Sequence, residues 1–278
     1  MNNSRFARTA GWLAVPCLVA AGLLAWYVTR EPVSRLENHQ IAVADIDPAL
    51  VARGEYVARL SDCVACHSVP GGAPFAGGLE MATPLGSIHA TNITPDTETG
   101  IGHYSLADFD RAVRHGVAPD SRRLYPAMPY PSYAKLSDDD VRALYAFFMK
   151  GVAPVKQANI PSSIPFPLNL RWPIALWNGV FADTEPYVTK PSQDAVWNRG
   201  AYLVQGAGHC GSCHTPRGLA FNEKALDESA TPYLAGALLD GWYAPSLRDD
   251  HNTGLGRWSE AQIVQFLKTG RNQHAVVY

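Results

Sequence analysis

"SDCVACHSVPGG" (Ser61–Gly72) sets two cysteines three positions apart and follows the second directly with a histidine. "GHCGSCHTPRG" (Gly208–Gly218) does the same 147 residues later. Working outward, "RGEYVARLSDCVACH" from Arg53 is echoed by "RGAYLVQGAGHCGSCH" from Arg199. Downstream, "TGIGHYSLADF" from Thr99 is echoed by "TGLGRWSEAQI" from Thr253, now 154 residues apart. One unit is therefore built twice, with a few residues inserted in the second copy.

The helices of the first copy follow from their caps. Asp47 caps a helix with Pro48 at its first position, and Leu50, Val57 and Leu60 give it an apolar face. Ser105 with Asp108 forms a capping box for a second helix, whose Leu106, Phe109 and Val113 share a face and which Gly116 stops. Ser137 caps a third, with acids in its first turn and Lys150-Gly151 at its end. The second copy repeats the first helix (about Gln193 to Val204) and the second (Ser259 to Thr269). No strand pattern is convincing, so each copy is predicted to be a small all-α domain with long loops.

Cys-x-x-Cys-His is the pattern of c-type haem attachment. Two thiols add to the haem vinyl groups and the adjacent imidazole reaches the iron. A closed zinc site from two Cys-x-x-Cys pairs is the rival, but it needs no histidine after each pair. A dithiol redox site leaves both histidines unexplained. Cys63, Cys66 and His67 are thus expected to hold one haem c, and Cys210, Cys213 and His214 a second. For the sixth ligand, Met81 lies in a turn-rich loop and Met149 on the third helix, where core packing explains it. Met128, in "LYPAMPYPSY", sits between two prolines in a stiff aromatic loop just before the last helix. It is the expected distal ligand, a pairing that suits electron transfer. Transferred to the second copy, this methionine would fall near position 282, beyond Tyr278. That copy is expected to be incomplete, its chain truncated, with His251 and His274 as candidate substitutes and surface placement the simpler reading of each.

The first thirty residues carry Arg5 and Arg8, then an uncharged run from Gly11 to Val28 flanked by Trp12 and Trp26-Tyr27. Eighteen residues nearly span a bilayer core of about 30 Å. Residues 1–30 are predicted to be a membrane anchor, with a cleaved signal or a buried helix as alternatives. The early arginines put the N-terminus inside and the haem domains outside. Cys17 follows Pro16, which no lipoprotein signal would, and no cysteines remain for a disulfide framework. The expected domains are 45–151 and 192–278. Between them, residues 152–191 hold seven prolines and the apolar "IPFPLNLRWPIALWNGVF". This segment is expected to pack on its own domains; a docking surface for a partner or the membrane is the alternative. With 23 basic and 25 acidic residues and no basic run, no nucleic-acid partner is expected.

The motifs together resemble the membrane-bound multi-haem (tri-haem) cytochrome c subunits of bacterial periplasmic dehydrogenases acting on gluconate, alcohols, aldehydes, sorbitol or fructose. The resemblance runs from about Pro48 to Tyr278 and is most specific in "CVACHSVPGGAPFAGGLEMATPLGSIHATNITPDTETGIG", "YPAMPYPSYAKLSDDDVRALYAFFMKGV" and "CGSCHTPRG". It implies tandem class I cytochrome c domains after a transmembrane helix, the second incomplete, with a third haem further on. It implies His67 and Met128 as axial ligands of the first iron and His214 of the second. It implies a partner catalytic subunit carrying a quinone, flavin or molybdenum cofactor, and electrons passed to ubiquinone or a terminal oxidase at the inner membrane. No Rossmann fingerprint, phosphate loop or nucleophile elbow is present, so no substrate chemistry of its own is expected. A haem peroxidase using an open second iron is the alternative. Arg114 and Asn92 are candidates to bind a haem propionate or steady the methionine loop, against an ordinary loop contact.

Overall fold

Helix α1 (Asn3–Thr29) carries the N-terminal apolar run. The computed structural model describes the backbone of residues 3–239 and 241–271, with side chains from residue 15 onward. The start of the expected anchor therefore lies outside the described side chains. Among the described residues no helix is long and apolar enough to cross a membrane. Chain contacts gather Met1–Gly208 into one compact unit and His209–Tyr278 into another.

In the first unit, Asp47 accepts the Ala49 amide and opens α2 (Pro48–Leu60), as its cap predicts. A one-turn helix, α3 (Cys63–Cys66), follows, entered through Asp62 in the left-handed region. Two short antiparallel strands come next, β1 (Glu80–Thr83) and β2 (Gly86–His89), with Met81 opposite Ile88. Helix α4 (Leu106–His115) has the predicted Ser105–Asp108 capping box and stops at Gly116, φ 63°. A one-turn α5 (Tyr130–Tyr133) precedes α6 (Asp138–Ala146), capped by Ser137 and finished by a π-turn over Phe147–Gly151. Then come α7 (Pro173–Phe181) and α8 (Ala195–Gln205), capped by Asp194.

The core lies where α2 crosses α6. Val57, Leu106, Phe109, Leu136, Val141 and Leu144 are buried there, and Phe75, Phe109, Tyr145, Phe147 and Phe148 pack edge-on or tilted with centroids 5.3–5.9 Å apart. Gly54 makes the crossing possible: a Cβ there would stand 1.9 Å from the Ala143 carbonyl oxygen. Its repeat partner Gly200 has nothing within 4 Å. Gly54→Ala should therefore cost roughly 1–3 kcal/mol by overpacking, despite a helix-propensity gain of about 1 kcal/mol. Gly200→Ala should keep that gain. Urea denaturation of both variants checks this, and equal effects would contradict it.

The apolar linker packs on its own unit. Asn159, Gln157 and Val155 bond the 92–99 loop, Ser163 bonds Ser87, Lys135 pairs with Asp183, and the Asn178 side chain accepts from Tyr130 at 2.6 Å. Helix α8, read as the opening of the second copy, is grouped with the first unit. Its Tyr202 hydroxyl accepts the Ser137 amide and donates to Asp140.

The second unit contains α9 (Gly211–His214), strands β3 (Ala237–Leu239) and β4 (Trp242–Ala244), and α10 (Glu260–Thr269). The capping box recurs, Ser259 with Gln262, and Gly270 ends the helix at φ 66°. Where α4 buries five residues, α10 has none buried among the described residues. The two hairpins correct the expectation of no strands. They are only three or four residues a strand, too short for an alternating pattern to stand out, and main-chain pairing rather than a buried face makes them.

Candidate cofactor-attachment sites

Each motif sits on one helical turn, which gathers both thiols and the imidazole on the same short stretch of backbone. In the first unit the His67 Nδ1 faces the Thr91 carbonyl oxygen at 2.7 Å. A carbonyl only accepts, so Nδ1 carries the proton and Nε2 keeps the lone pair that a metal takes. Burial holds the His67 pKa down, against the opposing pull of that hydrogen bond, so the ring stays neutral. Burial, reinforced by the Asp62 charge, pushes the Cys63 thiol up to about 12 even though part of its surface is open.

The second unit reproduces this arrangement. His214 Nδ1 faces the Pro245 carbonyl at 2.7 Å, and burial raises the pKa of Cys210 and Cys213. The amide of Gly236 donates to the His214 carbonyl at 2.8 Å, as Gly77 does to His67 at 2.7 Å. Both glycines have positive φ, 77° and 90°. Asp96 Oδ1 accepts the Thr99 amide, and Asp250 Oδ1 the Thr253 amide, each at 2.7 Å. Ten residues separate His67 from Gly77, but twenty-two separate His214 from Gly236. The second copy's extra residues therefore enter between the motif histidine and the hairpin.

The residues fit a haem. All four motif cysteines are free thiols. Cys63 packs on the rim of the apolar core together with Phe75, Ile93, Tyr104, Val113 and Met128, all only partly buried. A large apolar group seated there would cover what the protein alone leaves open. Tyr233 is buried in the second unit, with a hydroxyl that finds no hydrogen-bond partner among the described residues. Among the described residues no three His, Cys, Asp or Glu side chains are placed to hold a metal ion.

Of the candidate distal ligands, Met128 lies against the same core as Cys63, Met81 is on β1, and Met149 is buried in the π-turn. The Met128 loop is stiff: its carbonyl accepts the Tyr130 amide at 2.8 Å, and Tyr130, 1% exposed, is tied to Asn178. His251 is exposed in the turn after Asp250, and His274 lies outside the described residues.

Arg114 and Asn92 each bond to loops near the first motif. Asn92 donates to Val155 O and Thr99 Oγ1 and accepts from Thr94. Its own amide bonds Asn159, so it anchors the loop whose Thr91 carbonyl orients His67. Arg114 is buried in an ion pair with Asp110 and also bonds Leu136 O and Asp138, tying together the two ends of the methionine loop.

Sequence reasoning missed Thr91 and Pro245, whose side chains do nothing in this role. The available signal was their separation of 154 residues, the same offset as the Thr99 and Thr253 repeats. It also missed Tyr133, whose hydroxyl donates to the Ser61 carbonyl at 2.7 Å beside the first motif.

No family model matches the chain. It is 60% identical over 243 residues to the gluconate 2-dehydrogenase cytochrome c subunit of Pantoea cypripedii, covering 85% of this chain and 55% of that protein. It is 55% identical over 237 residues to the cytochrome c subunit of alcohol dehydrogenase (quinone) from Gluconobacter oxydans (strain 621H), covering 84% and 50%. It thus spans about half the length of these two curated relatives. Against the dihaem c-type cytochrome of Cereibacter sphaeroides it is 33% identical over 279 aligned residues, covering 96% of this chain and 86% of that one.

Proposed function

The chain belongs to the c-type cytochromes typified by the Cereibacter sphaeroides protein, and from that premise we propose that it relays electrons as the cytochrome subunit of a periplasmic dehydrogenase complex. The observation that carries this reading is the repeated motif whose two histidines each present Nε2, steered by a backbone carbonyl at 2.7 Å. The similarity to subunits of gluconate and alcohol dehydrogenases supports a catalytic partner that oxidises a sugar, alcohol or aldehyde. That partner would carry a quinone, flavin or molybdenum cofactor, and the acceptor would be ubiquinone or a terminal oxidase.

Bound haem c would supply a reversible one-electron couple at each iron. The chain's own residues do the rest. Cys63 and Cys66, and Cys210 and Cys213, would fix the group covalently. Thr91 and Pro245 hold the imidazoles in the ligating tautomer. Met128 would close the first site and keep small molecules from it. The aromatic core around Phe75 and Phe148 keeps water from one side, and Asn92 and Arg114 stiffen the loops that carry the ligands.

Helix α1 is read as the anchor, with both haem domains on the periplasmic face of the inner membrane. Val15, Leu18, Val19, Leu23 and Trp26 are all exposed along it, which water disfavours and lipid does not.

The test is the chain expressed in a periplasm with haem attachment working. We expect an intact mass with two covalent haems, a reductive titration that takes up two electrons, and no carbon monoxide binding at the first haem. A colourless product would defeat the haem assignment. Carbon monoxide binding at both haems with peroxide turnover would defeat the relay.

A further inference from the structure

Helix α7 has two faces of opposite character. Ile174 and Ala175 are buried, and Asn178 reaches inward to Tyr130. On the other side Trp172, Leu176 and Val180 recur every four residues and stand 47%, 38% and 73% exposed. At 100° per residue these three share a face about 80° wide, turned away from the buried one. Nothing between Pro173 and Phe181 is charged. The run of exposed apolar side chains begins earlier, at Phe166, Leu168 and Leu170.

The position of α7 is set by α1. The Tyr27 hydroxyl donates to the Ala175 carbonyl at 3.5 Å, and a Cβ on Gly179 would stand 2.0 Å from that hydroxyl oxygen. Tyr27 belongs to the aromatic end of the uncharged Gly11–Val28 run. Arg123 caps the same helix end, donating to the Val28 and Arg30 carbonyls. So α7 is held beside the point where the apolar run of α1 gives way to charge, and Trp172, like Trp26, is an exposed aromatic. Tryptophan is what a membrane–water boundary selects.

We infer that α7 is a second membrane contact, an interfacial helix whose Trp172–Leu176–Val180 face rests in the headgroup region of the same leaflet from which α1 emerges. The inference rests on the reading of α1 as an anchor. The occupant is lipid, because α7 is fixed against the boundary end of α1, whose own apolar side chains are exposed. A short uncharged helix that exposes bulky apolar side chains on one side fits such a surface. Asn178, on the inner face, holds Tyr130 two residues from Met128, so seating this helix also sets the height and pose of the first haem site.

The experiment uses the full, haem-loaded chain in a Cys17→Ser background, reconstituted in phosphatidylcholine–phosphatidylglycerol vesicles. A nitroxide is placed at Leu176→Cys or Val180→Cys. Leu23→Cys serves as the reference for α1, and Val188→Cys, at a residue 76% exposed, as the reference for water. Power saturation compares collisions with oxygen and with a water-soluble nickel chelate. We expect the oxygen-to-nickel ratio at 176 and 180 to exceed that at 188 several-fold and to approach that at 23. If 176 and 180 behave like 188 while 23 is lipid-like, α7 is not a membrane contact and the anchor reading stands. If 23 is also water-like, the anchor reading itself falls. Shielding of 176 and 180 from both relaxants would mean protein covers the face, and that overturns the inference.

Discussion

Met128→Leu should lower the reduction potential of the first haem by on the order of a few hundred millivolts, a large part of the roughly 0.8 V that axial ligands command. Leucine nearly matches methionine in volume, so the loop should keep its packing at a cost under about 1.5 kcal/mol. What is lost is the thioether, a ligand that favours the reduced iron. The loop around it is over-determined: Pro126 and Pro129 restrict its backbone, the Tyr130 amide bonds the Met128 carbonyl, and Tyr130 is pinned by Asn178. The variant should also bind carbon monoxide at the first haem and lose the far-red band of methionine-to-iron charge transfer. A redox titration with optical detection reads all three. An unchanged potential with that band retained would remove Met128 from the coordination sphere and leave Met81 as the candidate. Tyr130→Phe provides a graded control. It removes one hydrogen bond worth about 1 kcal/mol, so it should shift the potential less than Met128→Leu while weakening the band.

The second large effect is on stability. Arg114 and Asp110 are 4% and 0% exposed as side chains, and the Asp110 carboxylate also accepts from the Ser34 hydroxyl at 2.5 Å. Arg114→Met strands that buried carboxylate and should cost about 3–5 kcal/mol. It also releases Leu136 O and Asp138 from the guanidinium, so the ends of the methionine loop come apart. Asp110→Leu combined with Arg114→Met should recover most of the loss, because a well-packed apolar pair is often as stable as a buried ionic one. Urea unfolding of the haem-loaded variants decides the matter. A single variant within 1 kcal/mol of the parent would mean that water reaches Asp110 and that the pair is not a stabilising element.

Much of this could be read from the residues, and the reason is local. The caps at Asp47, Ser105, Ser137 and Ser259 act within three positions of themselves, and the structure shows each. Gly116 and Gly270 end their helices at positive φ, a conformation glycine tolerates best. The attachment motifs lie within five consecutive residues each, and the double repeat announced that one architecture is used twice. Gly54 and Gly200 show the limit. They stand at equivalent points of the repeat, yet one is pressed against a neighbouring helix and the other faces open space.

Sequence by itself therefore determined the capped helix starts and pointed to the two Cys-x-x-Cys-His motifs, because these depend on spacings of a few residues, and it showed the duplication because the chain matches itself. Tertiary structure alone decided which carbonyl orients each histidine, that Asn92 and Arg114 brace loops, that α8 packs with the first unit, and that the proline-rich segment lies on its own domain with one apolar face left over. These are contacts between residues tens of positions apart. The backbone carbonyls of Thr91 and Pro245 carry no side-chain signature, and burial of Asp110 or Tyr130 exists only once the chain has closed around them.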